Sequence, residues 1–144
     1  MLSYAYAAAL LLGCVAGLRT FTAPAVLWLV RHRSPVAYVL AIAASIELAA
    51  DLYPKTPART AAAGLVARIL SGASCGWAVT VPAGGSVLLG AVLGVVGALI
   101  GAYGGLAVRV RAIALIGRVP AALLEDAVAI LGAAAVVLML APAF

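Results

Sequence analysis

The sequence predicts an all-α, polytopic transmembrane helix bundle of about five spans, in a single domain covering residues 1–144. Three observations carry that expectation. Of the 144 residues, 67% are hydrophobic and only 9% are charged, whereas a soluble domain carries about 25% charged residues to clothe its surface in groups that water solvates. Mean hydropathy is +1.27. Apolar runs near the ~20 residues needed to cross a ~30 Å hydrocarbon core recur along the chain, separated by clusters of proline, glycine and charge.

The first apolar stretch runs from residue 4 to 30 and is interrupted near 19–24 by Arg19-Thr20-Phe21-Thr22-Ala23-Pro24. A charge, two hydroxyls and a proline without an N–H make a continuous helix unfavourable there. Either one long broken helix or a span followed by a short re-entrant piece is expected. Met1-Leu2-Ser3-Tyr4 lacks the positive region that opens a secretory signal, so this stretch is expected to be retained. After the polar turn Arg31-His32-Arg33-Ser34-Pro35, the second span covers 36–52 and stops at Pro54 and Pro57. The third covers 58–79 and the uncharged turn Pro82-Ala83-Gly84-Gly85 follows it. The fourth covers 86–108, a basic connection long enough to hold a helical turn of its own extends from Arg109 to Arg118, and the fifth span covers 120–140 with Pro120 expected at its first helical position.

Charge sets topology and partners. The formal net charge of +5 bears on orientation and on anionic head groups; no wettable basic face with interleaved aromatics suggests nucleic acid. The lipid bilayer is the expected partner. The loops holding Lys55 and Arg118 carry more Lys and Arg than the Arg31 turn, so the positive-inside rule puts the former in the cytoplasm. Cys14 and Cys75 lie in apolar runs with no metal-ligand spacing, and neither a metal nor another cofactor is expected.

Gly90, Gly94, Gly97, Gly101 and Gly104 recur at spacings of four and three, placing a strip without side chains along one face of the fourth span. Small residues let backbones approach closely where lipid supplies no hydrophobic force, so this glycine zipper is expected to pack against span five or a second protomer.

Ionisable residues within spans are costly and default to a functional reading. Arg68 lies nine residues beyond Arg59, about 14 Å deeper and about 180° around the helix. Glu47 and Asp51 are four apart on span two, and Glu125 and Asp126 lie within two turns of Pro120. Helix parity puts Glu47, Asp51, Arg59, Arg68, Glu125 and Asp126 in one half of the membrane, with Arg19 joining from mid-depth. Such a set either braces helices through salt bridges or forms a polar site for an ion or small solute. Four acids in one half exceed what bracing requires, which puts the site reading first. Gly72-Ala73-Ser74-Cys75-Gly76 spells a nucleophile elbow, but it sits in an apolar helix and lacks a histidine partner.

Several of these residues carry a resemblance. Leu18-Arg19-Thr20-Phe21, Glu47-Leu48-Ala49-Ala50-Asp51 with Pro54 and Pro57, Arg68 with Ser71-Gly72-Ala73, and Leu124-Glu125-Asp126 with Ala129-Ile130 resemble, in order, the motifs of an uncharacterised bacterial multi-pass membrane family, a domain of unknown function. The resemblance implies the bacterial inner (cytoplasmic) membrane and brings no activity. The expected function is a small transporter or channel-like protein for an ion or small solute, acting as a homo-oligomer because five spans enclose little volume. The alternative is a non-transporting scaffold or accessory subunit whose charges form a structural network. A membrane enzyme acting on lipid, with Glu125 or Asp126 as acid or base, ranks third because no nucleophile or metal supports it.

Overall fold

The computed structural model describes residues 2–50 and 62–140, and these form α-helices joined by short turns. In chain order they are α1 (Leu2–Leu18), α2 (Thr22–Arg31), α3 (Pro35–Ala50), α4 (Ala62–Thr80), α5 (Val87–Ile116) and α6 (Arg118–Leu140). The expected end of span two at Leu52 and start of span three at Ala58 lie outside the described residues. Helices α4, α5 and α6 are each long and apolar enough to cross a membrane; α1 and α3, at 17 and 16 residues, are shorter apolar helices.

Local chemistry accounts for the boundaries. Ser34 precedes Pro35 and its hydroxyl accepts from the Ala37 N–H at 3.4 Å, an N-cap with proline at the position where a missing N–H costs nothing. Ser86 caps α5 in the same way through the Leu89 N–H. Helix α5 ends only at Gly117, whose φ of 87° suits a residue without Cβ.

Two expectations are corrected here. Residues 109–116 are not a connection but the last two turns of a 30-residue helix, about 45 Å long. Nothing between Val108 and Ile116 breaks a helix, and the charges alone do not. Pro120 is accordingly the third residue of α6 and not the first; it is tolerated there because the first-turn N–H groups have no intrahelical acceptor.

Helices α1, α4 and α5 form the centre, with backbones nearly touching. A Cβ on Gly13 or on Gly72 would collide with the carbonyl oxygen of Gly94, and a Cβ on Gly94 with that of Gly72. A Cβ on Gly97 would fall 2.8 Å from the Cys14 nitrogen, one on Gly17 would fall 2.8 Å from the Gly101 Cα, and one on Gly90 would strike the Thr80 hydroxyl. The glycine strip of α5 therefore faces α1 and α4 within the same chain, which corrects the expectation that it packs against span five or a second protomer. Gly104 departs from it: it is exposed, with nothing near its missing side chain, because α1 ends at Leu18 and no backbone continues opposite. Helix α6 packs on α1, α2 and α5, burying Ala129, Ala133 and Val137, four residues apart on one face. Helix α3 leans chiefly on α2 and buries only Ala37 and Ala44.

The contacts also give helix directions. Gly13 lies by Gly94 and Gly17 by Ala98 and Ala102, so α1 runs parallel to α5; Gly76 by Gly90 and Gly72 by Gly94 make α4 antiparallel to both. The Tyr6 hydroxyl accepts from the Ser86 N–H at the start of this path. Helix α2 begins beside Ser71, whose hydroxyl donates to the Thr20 carbonyl, and ends where the Arg31 guanidinium donates to the Ala78 carbonyl. It therefore runs parallel to α4 and back toward the Ser86 end. Of the two forms open for the first segment, the structure has the returning one: α1 and α2 make a V with both arms opening at the same end.

The glycine contacts yield a graded expectation. Gly94→Leu or Gly97→Leu should abolish the monodisperse peak in detergent size-exclusion chromatography, because the new side chain has only backbone to displace. Gly104→Leu should elute as the parent does. A normal profile for Gly94→Leu would show that α1, α4 and α5 do not meet as described.

Candidate functional site at the helix break

Between Leu18 and Thr22 the chain leaves helical geometry inside an apolar bundle, freeing backbone groups that lipid cannot satisfy; each would cost several kcal/mol if left alone. Phe21 occupies the N-cap position of α2 and offers no side-chain hydrogen bond. The missing cap comes from another helix. Glu47 of α3 accepts the Thr20 N–H through Oε1 at 2.8 Å and the Phe21 N–H through Oε2 at 3.0 Å. Its carboxylate thus lies at the positive end of the α2 dipole. From the other side, Ser71 of α4 donates to the Thr20 carbonyl. Helices α3 and α4 converge on the backbone of Thr20 and Phe21.

Arginines surround this point. Arg68 lies one turn before Ser71 on α4, is buried to 8% exposure, and holds its guanidinium 3.9 Å from Glu47 Oε1. Arg19, only 2% exposed, forms an ion pair with Asp126 of α6. Farther along, Arg109 of α5 donates to Glu125 Oε2 at 3.2 Å, across the α5–α6 hairpin. Arg68 thus lies beside Glu47, and Arg19 beside Asp126. Thr22, the first residue of α2, is 3% exposed and its hydroxyl has no hydrogen-bond partner among the described residues.

Of the residues singled out from the sequence, Arg19, Glu47, Arg68, Glu125 and Asp126 gather at the end of the bundle away from Ser86. Asp51 and Arg59 lie outside the described residues. The residue that sequence reasoning missed is Arg109, taken for part of a loop. Its signal was symmetry, since Arg109 and Glu125 each lie eight positions from Gly117 and a tight hairpin there brings them level. The letters of the nucleophile elbow fall within α4, where the Ser74 hydroxyl donates to the Ser71 carbonyl. Cys14 and Cys75 are free thiols, and among the described residues no three of His, Cys, Asp or Glu group to hold a metal ion.

No family model, no curated protein and no solved structure matches the chain.

The double capping by Glu47 is testable by chemistry-conserving substitution. Glu47→Ala leaves two N–H groups without an acceptor, at about 1–3 kcal/mol each, and should lower the detergent unfolding temperature markedly. Glu47→Gln keeps one carbonyl acceptor and should fall between this variant and the parent. Equal effects of the two substitutions would assign the role of Glu47 to its charge and not to the cap.

Proposed function

We propose that this chain is a small multi-pass membrane protein that binds and passes an ion or small solute at the α1–α2 break. The observation that carries the reading is that an ionisable side chain of a neighbouring helix, Glu47, holds both N–H groups of the break while sharing its carboxylate with buried Arg68. Discontinuous helices with exposed backbone groups are a recurrent way to build substrate sites in transport proteins. An ion or solute that competes for Glu47 or Arg68 would loosen α2 from α3 and α4 together, coupling occupancy to helix movement. The buried Thr22 hydroxyl adds a polar group at the same point.

In this reading α1 and α3 cross the membrane together with α4, α5 and α6, which makes five spans, and α2 is the return arm of α1. The Gly117 hairpin and Lys55 face the cytoplasm by the positive-inside rule, and the resemblance to the bacterial family supports an inner-membrane location. The exposed apolar face of α3, with Val36, Val39, Ile42 and Ile46, leaves room for a second copy in a homo-oligomer. A second reading, a structural brace in a non-transporting subunit, draws on the ion pairs of Arg19, Arg68 and Arg109 with Asp126, Glu47 and Glu125.

The two readings part in a double variant. Arg68→Ala should be strongly destabilising, since breaking a buried pair costs about 3–5 kcal/mol. Adding Glu47→Gln removes the unbalanced charge while keeping an acceptor for the break, and should recover much of the unfolding temperature. A transport site then stays inactive in a cell-growth or vesicle-flux assay, whereas a brace recovers its phenotype with its stability. If Arg68→Ala alone changes neither, the site loses its central residue.

Topology gives a separate check. Single cysteines at Ser3 and Ser34 should be labelled from one side of the membrane, and a cysteine at Arg118 from the other, the cytoplasm. Ser3→Cys and Ser34→Cys labelled from opposite sides would undo the α1–α2 return.

A further inference from the structure

The helix break opens on one side into a groove. Between α2, α3 and α4 lies a cavity of about 440 Å³, walled by Pro24 and Trp28 from α2, Val36 and Leu40 from α3, and Leu70 and Trp77 from α4. Thr20, Ser71 and Ser74 also line it, so the groove and the break are parts of one site. Its volume is that of a pocket for a small organic molecule. Trp28 lies eight positions beyond Thr20, about 12 Å at the helical rise.

The walls choose the occupant. Among the described residues no ionisable side chain lines the groove, so a charged head group would leave water there without meeting a counter-charge. Its polar groups are hydroxyls. The Ser74 hydroxyl donates to the Ser71 carbonyl, and the Ser71 hydroxyl donates to the Thr20 carbonyl. Each has given its single proton and presents lone pairs only, while Thr20 adds a hydroxyl able to donate or accept. A head group that donates a hydrogen bond is therefore met, and one that only accepts is met poorly. The way in is lateral. Among the described residues α3 packs on α2 and scarcely touches α4, and Val36, Leu70 and Trp77 are exposed along the cleft between them.

We infer that the solute held at the break is an uncharged amphiphile, an apolar body carrying a hydroxyl head, which enters sideways from the lipid between α3 and α4. The body lies along Trp28, Leu40 and Leu70, and the hydroxyl donates to the Ser71 or Ser74 oxygen. A head that draws on the Ser71 oxygen bears directly on the bond that ties α4 to the Thr20 carbonyl. This rests on the reading of the break as a solute site and narrows it from an ion or small solute to one chemical class.

Trp28 and Trp77 are the chain's two tryptophans, and both line the groove, so quenching of their fluorescence by a bromine atom reports it. The full chain in mild detergent is titrated with ω-bromo-octanol, with its methyl ether and, at alkaline pH where the acid is ionised, with ω-bromo-octanoate. At equal mole fractions in the micelle the alcohol should quench with about fivefold higher apparent affinity than the ether or the carboxylate, the order that one or two hydrogen bonds supply. Equal quenching by alcohol and ether, or stronger quenching by the carboxylate, would overturn the inference. Ser74→Ala removes one acceptor while leaving the Glu47 and Ser71 ties to the break in place, and should shrink the preference for the alcohol over the ether severalfold. An unchanged preference would assign it to depth in the micelle and sink the head-group assignment. Ion flux without any preference for the alcohol would overturn this class and keep the break as a transport site. Preference for the alcohol without flux upholds the class and removes only the passage of solute.

Discussion

Gly94 sits with the backbones of α1 and α4 on either side, close enough that no side chain fits between, and the arrangement of the other helices follows from that contact. In a bilayer the surrounding lipid is as apolar as the protein, so helices gain by packing area and by close backbone approach more than by escape from solvent. Gly13, Gly17, Gly72, Gly76, Gly90, Gly97 and Gly101 extend the contact along α5, giving three helices a common, nearly side-chain-free axis. Helices α2, α3 and α6 are then arrayed around this core with larger, more exposed surfaces.

A second constraint arises where the core helix α1 ends. The chain turns back within the apolar bundle, and its freed N–H and C=O groups are satisfied from α3 and α4 by Glu47 and Ser71. That arrangement makes a carboxylate part of the backbone architecture. It also draws Arg68 close, so that the capping of α2 and the charge state of the cluster depend on one group. Arg19 performs the matching task for α6: placed by the break itself, it anchors Asp126. The break, the ion pairs and the docking of α3 and α6 are thus one connected arrangement.

The two ends of the molecule differ in consequence. At the Gly117 end, cations and carboxylates interleave and neutralise one another within the bundle. At the Ser86 end, the Arg31 guanidinium is tied to the Ala78 carbonyl, and Trp28 and Trp77 line a hollow beside it. The first arrangement suits a site whose charges respond to one another.

Composition alone determined the helical, membrane-like class, because thirteen charged residues in 144 cannot wet a surface of this size. Local signals marked the interruption at 19–24, the turn after Arg31 and the glycine strip, since proline, capping serine and missing side chains act through neighbours in the chain. Other features depended on the tertiary structure. The α1–α2 reversal is decided by Tyr6 meeting Ser86 and Arg31 meeting Ala78, contacts between residues far apart in sequence. The partner of each arginine is a question of distance across helices, which spacing along one helix does not contain. Arg109 was misread for a related reason: charge was taken as the end of a span, whereas a helix leaves its geometry only where backbone chemistry forces it, here at Gly117. Gly104 continues the strip in sequence, but its use as a packing residue required a neighbouring backbone, and α1 had already ended.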